Sequence, residues 1–568
     1  MTSYIWLTIL VLFAAVLLAA ERVELNWDIA YVDGNRDGYN QRRAIGVNGR
    51  LPIPPVVVDY GDTLLINVHN SLDVPTTLHA HGMFHNGTAY EDGAGGVTEC
   101  GIPPGGRHTY TIRANQVGTF WIHGHNLHQN MDGLRTPFII RDPESYTREY
   151  DEEVLISLED WYPTESAQKV KELTEPGAQS PSSATFPFGL INGYNGNNTQ
   201  PVQFVPGKRY RFRVVSMSVT EWWRFSIPGH KLEVIEADGG YSKPYEVDGL
   251  DIGPGQRYSA IVTAKDSDEF NFFYNATLYA DFIPTIPGVN PRYYKGLIEY
   301  QKGAPVKEAP PRQTDQDLMW ADDIHMQSLD DEPALPVDRQ FEFTAQQYVT
   351  TKGANLRSLN VYAYDTPLVP SLFTAMSEGE LAGNRAIYGP QAEAQVLEHM
   401  EVVEIKLNNP TELVHSFHLH GHNFQVIEYG PVDRPTVLLL PGSQYLNKPL
   451  PTIPVRRYQG SPIRRDTLVI PAFSYIKIRF RADNPGVWLF HCHMDTHFAS
   501  GLAVTFIEAP YELQRQQRVP DGMQDMCRAL GRKASGNAAG NVGFDFTGLP
   551  EVPEPAVNQT AAGVPLPP

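Results

Sequence analysis

The sequence predicts an all-β protein built of three consecutive β-sandwich domains, and three observations carry that prediction. Gly and Pro number 47 and 46 of 568 residues, a supply of turn residues that suits many short strands. Aromatic and β-branched residues are plentiful and long heptad patterns are absent, so strand periodicity dominates. Finally, one pattern occurs twice: residues 116–125 read Gln-Val-Gly-Thr-Phe-Trp-Ile-His-Gly-His, and residues 484–493 read Asn-Pro-Gly-Val-Trp-Leu-Phe-His-Cys-His. A second echo pairs Leu-His-Ala-His-Gly at 78–82 with Phe-His-Leu-His-Gly at 417–421. The first and last thirds therefore read as copies of one β-unit. The middle third keeps the strand style, at 210–216 and 256–263, without a His-x-His pair, and reads as a third copy that holds no metal.

Taken in order, residues 5–20 form a nearly unbroken apolar run ending Leu-Ala-Ala, followed at once by Glu21 and Arg22. This is the pattern of a secretory signal peptide at 1–20. No Lys or Arg precedes the run, so a short uncleaved anchor is the alternative, although the run falls below the ~20 residues of a spanning helix. The first domain is placed at 22–145, with a charged connection following it. The second is placed at 150–301. Residues 302–338, where Pro and acidic residues cluster without apolar periodicity, read as a linker. The third domain takes 339–510, and 511–568 is read as a C-terminal tail that is loose from 550 onward.

With 65 acidic against 45 basic residues the formal charge is −20. No basic stripe is present to neutralise phosphates, which argues against a nucleic-acid partner. An acidic surface suits cationic substrates, and it also serves solubility alone. Sequons at Asn86, Asn197, Asn275 and Asn558 agree with a secretory route to a secreted or cell-surface protein. Of the three cysteines, Cys100, Cys492 and Cys527, an oxidising compartment leaves one unpaired. Cys492 lies between two histidines, so it is assigned to metal and Cys100 is paired with Cys527.

Four clusters hold ten of the 18 histidines: His79 and His81; His123 and His125; His415, His418 and His420; His491, His493 and His497. Residues one apart on a strand project to the same face, so each His-x-His pair can approach metal together. Neutral imidazole suits copper, iron and zinc, and a Cys thiolate with two imidazoles and a weak or absent axial ligand describes a blue-copper electron-transfer site.

In this order, His-x-His-Gly, His-x-His, His-x-x-His-x-His and His-Cys-His-x-x-x-His resemble the four signatures of the multicopper oxidases, over about residues 22–510. The resemblance implies cupredoxin-like sandwiches and four copper ions. Position by position, it gives type 1 copper to His415, Cys492 and His497, and type 2 copper to His79 and His418. The type 3 pair falls to His81, His123, His125, His420, His491 and His493. Cys492 would then bind type 1 copper while its covalent neighbours bind the type 3 pair, a short bonded route for electrons. The trinuclear ligands come equally from the first and third repeats, so the middle unit is expected to act mainly as spacer and substrate-side wall. Leu502 takes the axial position, where the loss of a thioether donor raises the type 1 potential. Asp92 and Asp495 fall where the family keeps carboxylates that relay protons or orient imidazoles. His85, His128 and His422 are left as neighbours of the site or as surface residues.

Within the family, 81–88 (His-Gly-Met-Phe-His-Asn-Gly-Thr), 482–488 (Ala-Asp-Asn-Pro-Gly-Val-Trp) and 464–468 (Arg-Arg-Asp-Thr-Leu) look most like fungal iron-uptake ferroxidases. Laccases share much of this, and Ala80 matches neither group. By resemblance Asp281 and Tyr364 match ferroxidase positions near the type 1 histidines. A second carboxylate position falls on Thr411, with Glu412 beside it, and a third near Ala184 and Thr185, where no acid exists. Glu221 is the candidate proton acceptor of a phenol-oxidising pocket. The partners this implies are dioxygen, ferrous iron or phenolic small molecules, and an iron permease in the ferroxidase case, with the chain a monomer.

Overall fold

The computed structural model describes residues 20–126, 128–142, 150–175, 187–195, 199–279, 293–307, 318–360, 362–433 and 449–553. Asp281, Ala184, Thr185, Asn197 and Asn558 lie outside them, as does the apolar run at 5–19. Among the described residues no helix is long and apolar enough to cross a membrane.

Six sheets form three cupredoxin-like sandwiches. In the first, strands Arg42–Val47, Arg22–Gly34, Thr63–Asn70 and Arg107–Arg113 make one sheet, and Val56–Asp59, Arg135–Arg141, Gly118–His123 and His79–His81 make the other. The second pairs a six-stranded with a five-stranded sheet, and the third a seven-stranded with a five-stranded one. Alternation supplies the cores. In Ser474–Arg481, the residues Ser474, Ile476, Ile478 and Phe480 are buried, while Tyr475, Lys477, Arg479 and Arg481 face outward, half-exposed, the period of two that a sheet with one wet face requires. Gly118–His123 and Gly486–Cys492, by contrast, are buried along their whole length. Both are repeat strands that carry histidines.

The repeat is visible in the pairing register. His79 stands opposite His123 in the first unit, and His418 opposite His491 in the third. Of the four His-x-His pairs, however, only His79 and His81 lie on one strand. Gly118–His123 stops before His125, His415–Leu419 before His420, and Gly486–Cys492 before His493. The expected same-face pairing on a continuous strand therefore gives way to pairs that straddle a strand end, which lets the two rings of a pair reach different groups.

One apolar cluster runs from Phe212, Trp223 and Ile252 of the middle unit to Phe417, Ile478 and Phe490 of the third. A second cluster joins Ile66, Phe120 and Phe138 of the first unit to Leu513, Met523 and Met526. Residues 510–553 thus differ from the tail the sequence suggested. Helices Pro510–Gln516 and Asp521–Ala529 bury these side chains in a cluster that the first and third units share, the former helix packing on Ser371–Ser377 of the third. Cys527 is bonded to Cys100 across 427 residues of chain. The segment at 318–338 is not a free linker either, since Trp320 bridges to Gly249, Ser328 to Ser242 and Gln327 to Pro462.

Candidate metal centre

The four histidine clusters converge into groups whose donor atoms lie within 4.8 Å of one another: His79, His81 and His418; His81, His123 and His493; His125, His420 and His491; and His415, Cys492 and His497. His79 and His420 also group with Asp92. Each of the first three groups draws on both the first and the last unit. Their rings cross-stack, His79 on His420 at 4.1 Å between centroids and His81 on His418 at 3.7 Å.

In most of these rings a hydrogen bond fixes which nitrogen is free. The Nδ1–H of His79 donates to the Asp92 carbonyl at 2.7 Å, that of His418 to the Asp466 carbonyl at 3.0 Å, and that of His123 to the Gly124 carbonyl at 3.2 Å. His420 donates from Nδ1 to the Asp92 carboxylate at 2.9 Å, and His491 from Nδ1 to the Cys492 carbonyl at 3.0 Å. His81 is the reverse, donating from Nε2 to Asp466 Oδ1 at 3.1 Å. The opposite nitrogens, His79 Nε2, His81 Nδ1, His123 Nε2 and His418 Nε2, together with both nitrogens of His493, are buried without a hydrogen-bond partner. Orphaned buried polar atoms are costly. Here they are lone pairs gathered at common points, as metal binding demands, and the bonds behind them are the outer support that orients such ligands.

Burial pushes the rings of His81, His123, His420, His491, His493 and His497 well below the usual histidine range, and those of His125 and His415 to about 3. Imidazole ligands must be neutral, so this burial favours the binding form. Burial works against the Asp92 charge, but His420 and His79 outweigh it and hold the carboxyl well below its ordinary value. Asp495 goes the other way, pushed up to about 7 by burial and by nearby Asp160, with Asn130 donating to it at 3.4 Å.

The fourth group is separate and belongs to the third unit alone. His415 Nδ1 and His497 Nδ1 lie 3.0 Å apart, each 3.7 Å from Cys492 Sγ. Burial raises the Cys492 thiol to about 12, so its thiolate forms only in exchange for a cation. Leu502, fully buried, accepts the Cys492 N–H on its carbonyl at 3.0 Å and donates its own N–H to the His497 carbonyl at 3.2 Å. Ser500 ties down the other end of the loop. It accepts from Arg357 Nη1 at 2.9 Å and donates to the His497 carbonyl at 2.9 Å.

Around this group, Thr411 Oγ1 lies 3.5 Å from His415 Nε2, so a hydroxyl occupies the place where resemblance expects a carboxylate. Glu412 is half-exposed on the same turn. Tyr364 is buried, its ring 6.2 Å from Phe498. Glu221 is half-buried, its N–H bonded to Asp160 and its charge beside Tyr162 and Lys169. His85 is buried near Asp92 and His79, and burial lowers it to about 4. His422 pairs with the buried Glu508 at 3.0 Å, and His128 packs on Phe498.

Three residues escaped the sequence reading. Asp466 stands beside His81 and His418, and Arg257 of the middle unit binds it. Gly255, also of the middle unit, is so close to the centre that a Cβ there would sit 3.0 Å from His493 and 3.1 Å from His81. The middle unit is therefore a wall of the histidine centre rather than mainly a spacer. Asp466 was present in the stretch 464–468 but had no short spacing to any histidine that would single it out.

A neighbouring acid yields a stability prediction. Glu99 is fully buried, accepts from Tyr110 Oη at 2.8 Å, and is pushed up to about 8 by burial. Its protonated form suits the fold, so its contribution is complete below the unfolded value of 4.5 and is lost as pH rises through about 8. Glu99→Gln should match the parent near pH 4.5 and exceed it by on the order of a few kcal/mol above pH 8. Chemical unfolding at both pH values checks this, and a constant difference between the proteins would contradict it.

Family profiles described as Multicopper oxidase match residues 28–145, 152–295 and 364–512. The iron multicopper oxidase fer1 of Mycosarcoma maydis is 38% identical over 94% of this chain and 88% of its own length. The iron transport multicopper oxidase fetC of Epichloe festucae is 35% identical over 98% of this chain and 88% of its own. Among solved structures, Fet3p, a multicopper oxidase that functions in iron import, superposes with a TM-score of 0.83 at 31% identity, covering 94% of this chain and 99% of that one. The laccase from Botrytis aclada gives 0.71 at 27% identity, covering 90% and 92%.

Proposed function

The chain belongs to the multicopper oxidase family, and from that premise we propose that it is a ferroxidase, coupling oxidation of ferrous iron to reduction of dioxygen to water with four copper ions. The observation that carries the reading is the complete donor set in a chain similar along nearly its whole length to iron multicopper oxidases. Type 1 copper is assigned to His415, Cys492 and His497, type 2 to His79 and His418, and the type 3 pair to His81, His123 and His493 on one side and His125, His420 and His491 on the other. Copper, when bound, supplies the one-electron acceptor and the centre where dioxygen is reduced.

The protein's own groups do the rest. Leu502 keeps a donor away from the type 1 position, and the Arg357 cation acts on Cys492, His415 and His497; both favour the reduced metal. Asp92 holds His420 and His79 in place through the bonds given above. Asp495, with its carboxyl near neutrality, holds a proton at the edge of the centre and can release it there. By resemblance, Asp281 and Glu412 are assigned to ferrous iron, because hard oxygen ligands favour the ferric product. The ferric ion is then passed to an iron permease at the cell surface. Oxidation of phenols is the second reading, favoured by Thr411 standing where a carboxylate was expected.

The test compares kcat/KM for ferrous iron and for a bulky electron-rich phenol by dioxygen uptake, with Asp281→Ala and Glu412→Ala beside the parent. We expect iron to be preferred, and that preference to fall by roughly tenfold, about 1.4 kcal/mol, in each variant. Rapid phenol turnover with iron oxidation indifferent to both changes would make the protein a laccase.

A further inference from the structure

Arg257 opens the strand Arg257–Thr263 of the middle unit and is fully buried. Its guanidinium touches all three units. Nε donates to the Thr119 carbonyl of the first at 2.9 Å, and Nη1 to the Gly255 carbonyl of its own at 3.0 Å. The fork then grips Asp466 of the third, Nη1 to Oδ1 at 2.7 Å and Nη2 to Oδ2 at 2.6 Å. Asp238 accepts the Arg257 N–H at 2.7 Å, and its other oxygen takes Arg465 Nε at 2.8 Å. Space is closed around the fork: a Cβ on Gly82, which has φ +93°, would lie 2.5 Å from Arg257 Nη2 and 2.8 Å from Asp466 Oδ2.

A guanidinium needing only charge balance would be served by a single-point contact with Asp238, 3.6 Å from Nη1. The two parallel bonds to Asp466 do something more, because a bidentate fork fixes the plane of a carboxylate as well as its position. That plane matters for one histidine. His79, His123 and His418 have carbonyl acceptors at Nδ1 and present Nε2, whereas His81 donates from Nε2 and presents Nδ1. Its acceptor is Asp466 Oδ1, with Thr467 Oγ1 also 3.1 Å from Nε2 and itself donating to Asp466 Oδ1 at 2.7 Å. If the carboxylate turned, His81 would lose the bond that sets its tautomer.

We propose that Arg257 is a positioning residue of the trinuclear copper centre: by gripping both oxygens of Asp466 it fixes the acceptor that turns His81 Nδ1 toward His123 and His493. The middle unit, which supplies no ligand, thereby governs one copper position at one remove. The inference rests on the four-copper reading and concerns the histidine centre rather than the Cys492 group, so the type 1 site is its internal control.

Full-length, copper-loaded parent, Arg257→Met, Arg257→Lys and Asp466→Asn would be compared for copper per chain, the blue thiolate band, the near-ultraviolet band of the coupled pair and the type 2 electron paramagnetic resonance signal. Arg257→Met and Asp466→Asn should keep the blue band, lose the near-ultraviolet band and turn over about 10- to 100-fold more slowly, the usual cost of removing outer support from a metal ligand. Arg257→Lys keeps the charge without the fork, and should keep the blue band while losing most of the near-ultraviolet one. This variant also decides the matter if Arg257→Met fails to fold. A full near-ultraviolet band and full copper in Arg257→Lys or Asp466→Asn would overturn the proposal, as would equal loss of both bands, which marks a merely structural role. A parent with fewer than four coppers would overturn the four-copper reading itself and the proposal with it.

Discussion

Replacing Cys492 by serine should remove the blue band and one copper per chain, and slow oxidation of every reducing substrate by on the order of 10³-fold or more. Cys492 is the free cysteine of the chain, equidistant from His415 and His497, so no other thiol can replace it. A serine hydroxyl is nearly the same shape, which preserves the packing of the fully buried strand Gly486–Cys492. His491 and His493 keep their own groups with His420 and His125, and with His81 and His123. Three coppers should therefore remain, with the near-ultraviolet band intact. Metal analysis with optical and paramagnetic spectra checks this. Loss of all four coppers would mean that the two centres do not load independently, and an intact blue band would remove Cys492 from the site.

The second large effect is on stability. Converting Cys100 and Cys527 to alanine, which leaves no buried hydroxyl behind, should cost about 2–5 kcal/mol, because the bond closes a very long loop of the unfolded chain. Cys100 lies a few residues beyond Asp92, and Cys527 lies on the helix Asp521–Ala529 that covers the first unit. The C-terminal segment should be released first. Calorimetry should show a lower apparent Tm, and limited proteolysis should cut within 510–553 before the sandwiches. An unchanged Tm would show that Leu513, Met523 and Met526 hold the segment without the bond.

What could be read in the sequence was whatever chemistry had written at short range. Strand alternation and the two echoes gave the sandwiches, because a half-buried strand must alternate. The His-x-His and His-Cys-His spacings gave the donors, because ligands on one strand or at its end are neighbours in sequence. Asp466 and Arg257 carry no such mark. Asp466 meets His81 across 385 residues and Arg257 across 209, and nothing local distinguishes a supporting carboxylate from a surface one. The C-terminal helices were missed for a related reason: their apolar residues are sparse and find their partners far off in sequence, in the cluster that the first and third units share. Thr411 shows the limit of resemblance, since position alone placed a carboxylate where this chain has a hydroxyl beside His415.

The crossed stacking of His79 on His420 and His81 on His418 makes the histidine centre a joint between the two ends of the chain. Until those ends have docked, either side offers at most two imidazoles to any one position. An unfinished chain therefore has only half-sites to offer there, and they hold metal weakly. Capture of the last three ions becomes a checkpoint on assembly, and once captured they act as rivets, so that a cell supplying copper to this protein is also certifying that it has folded.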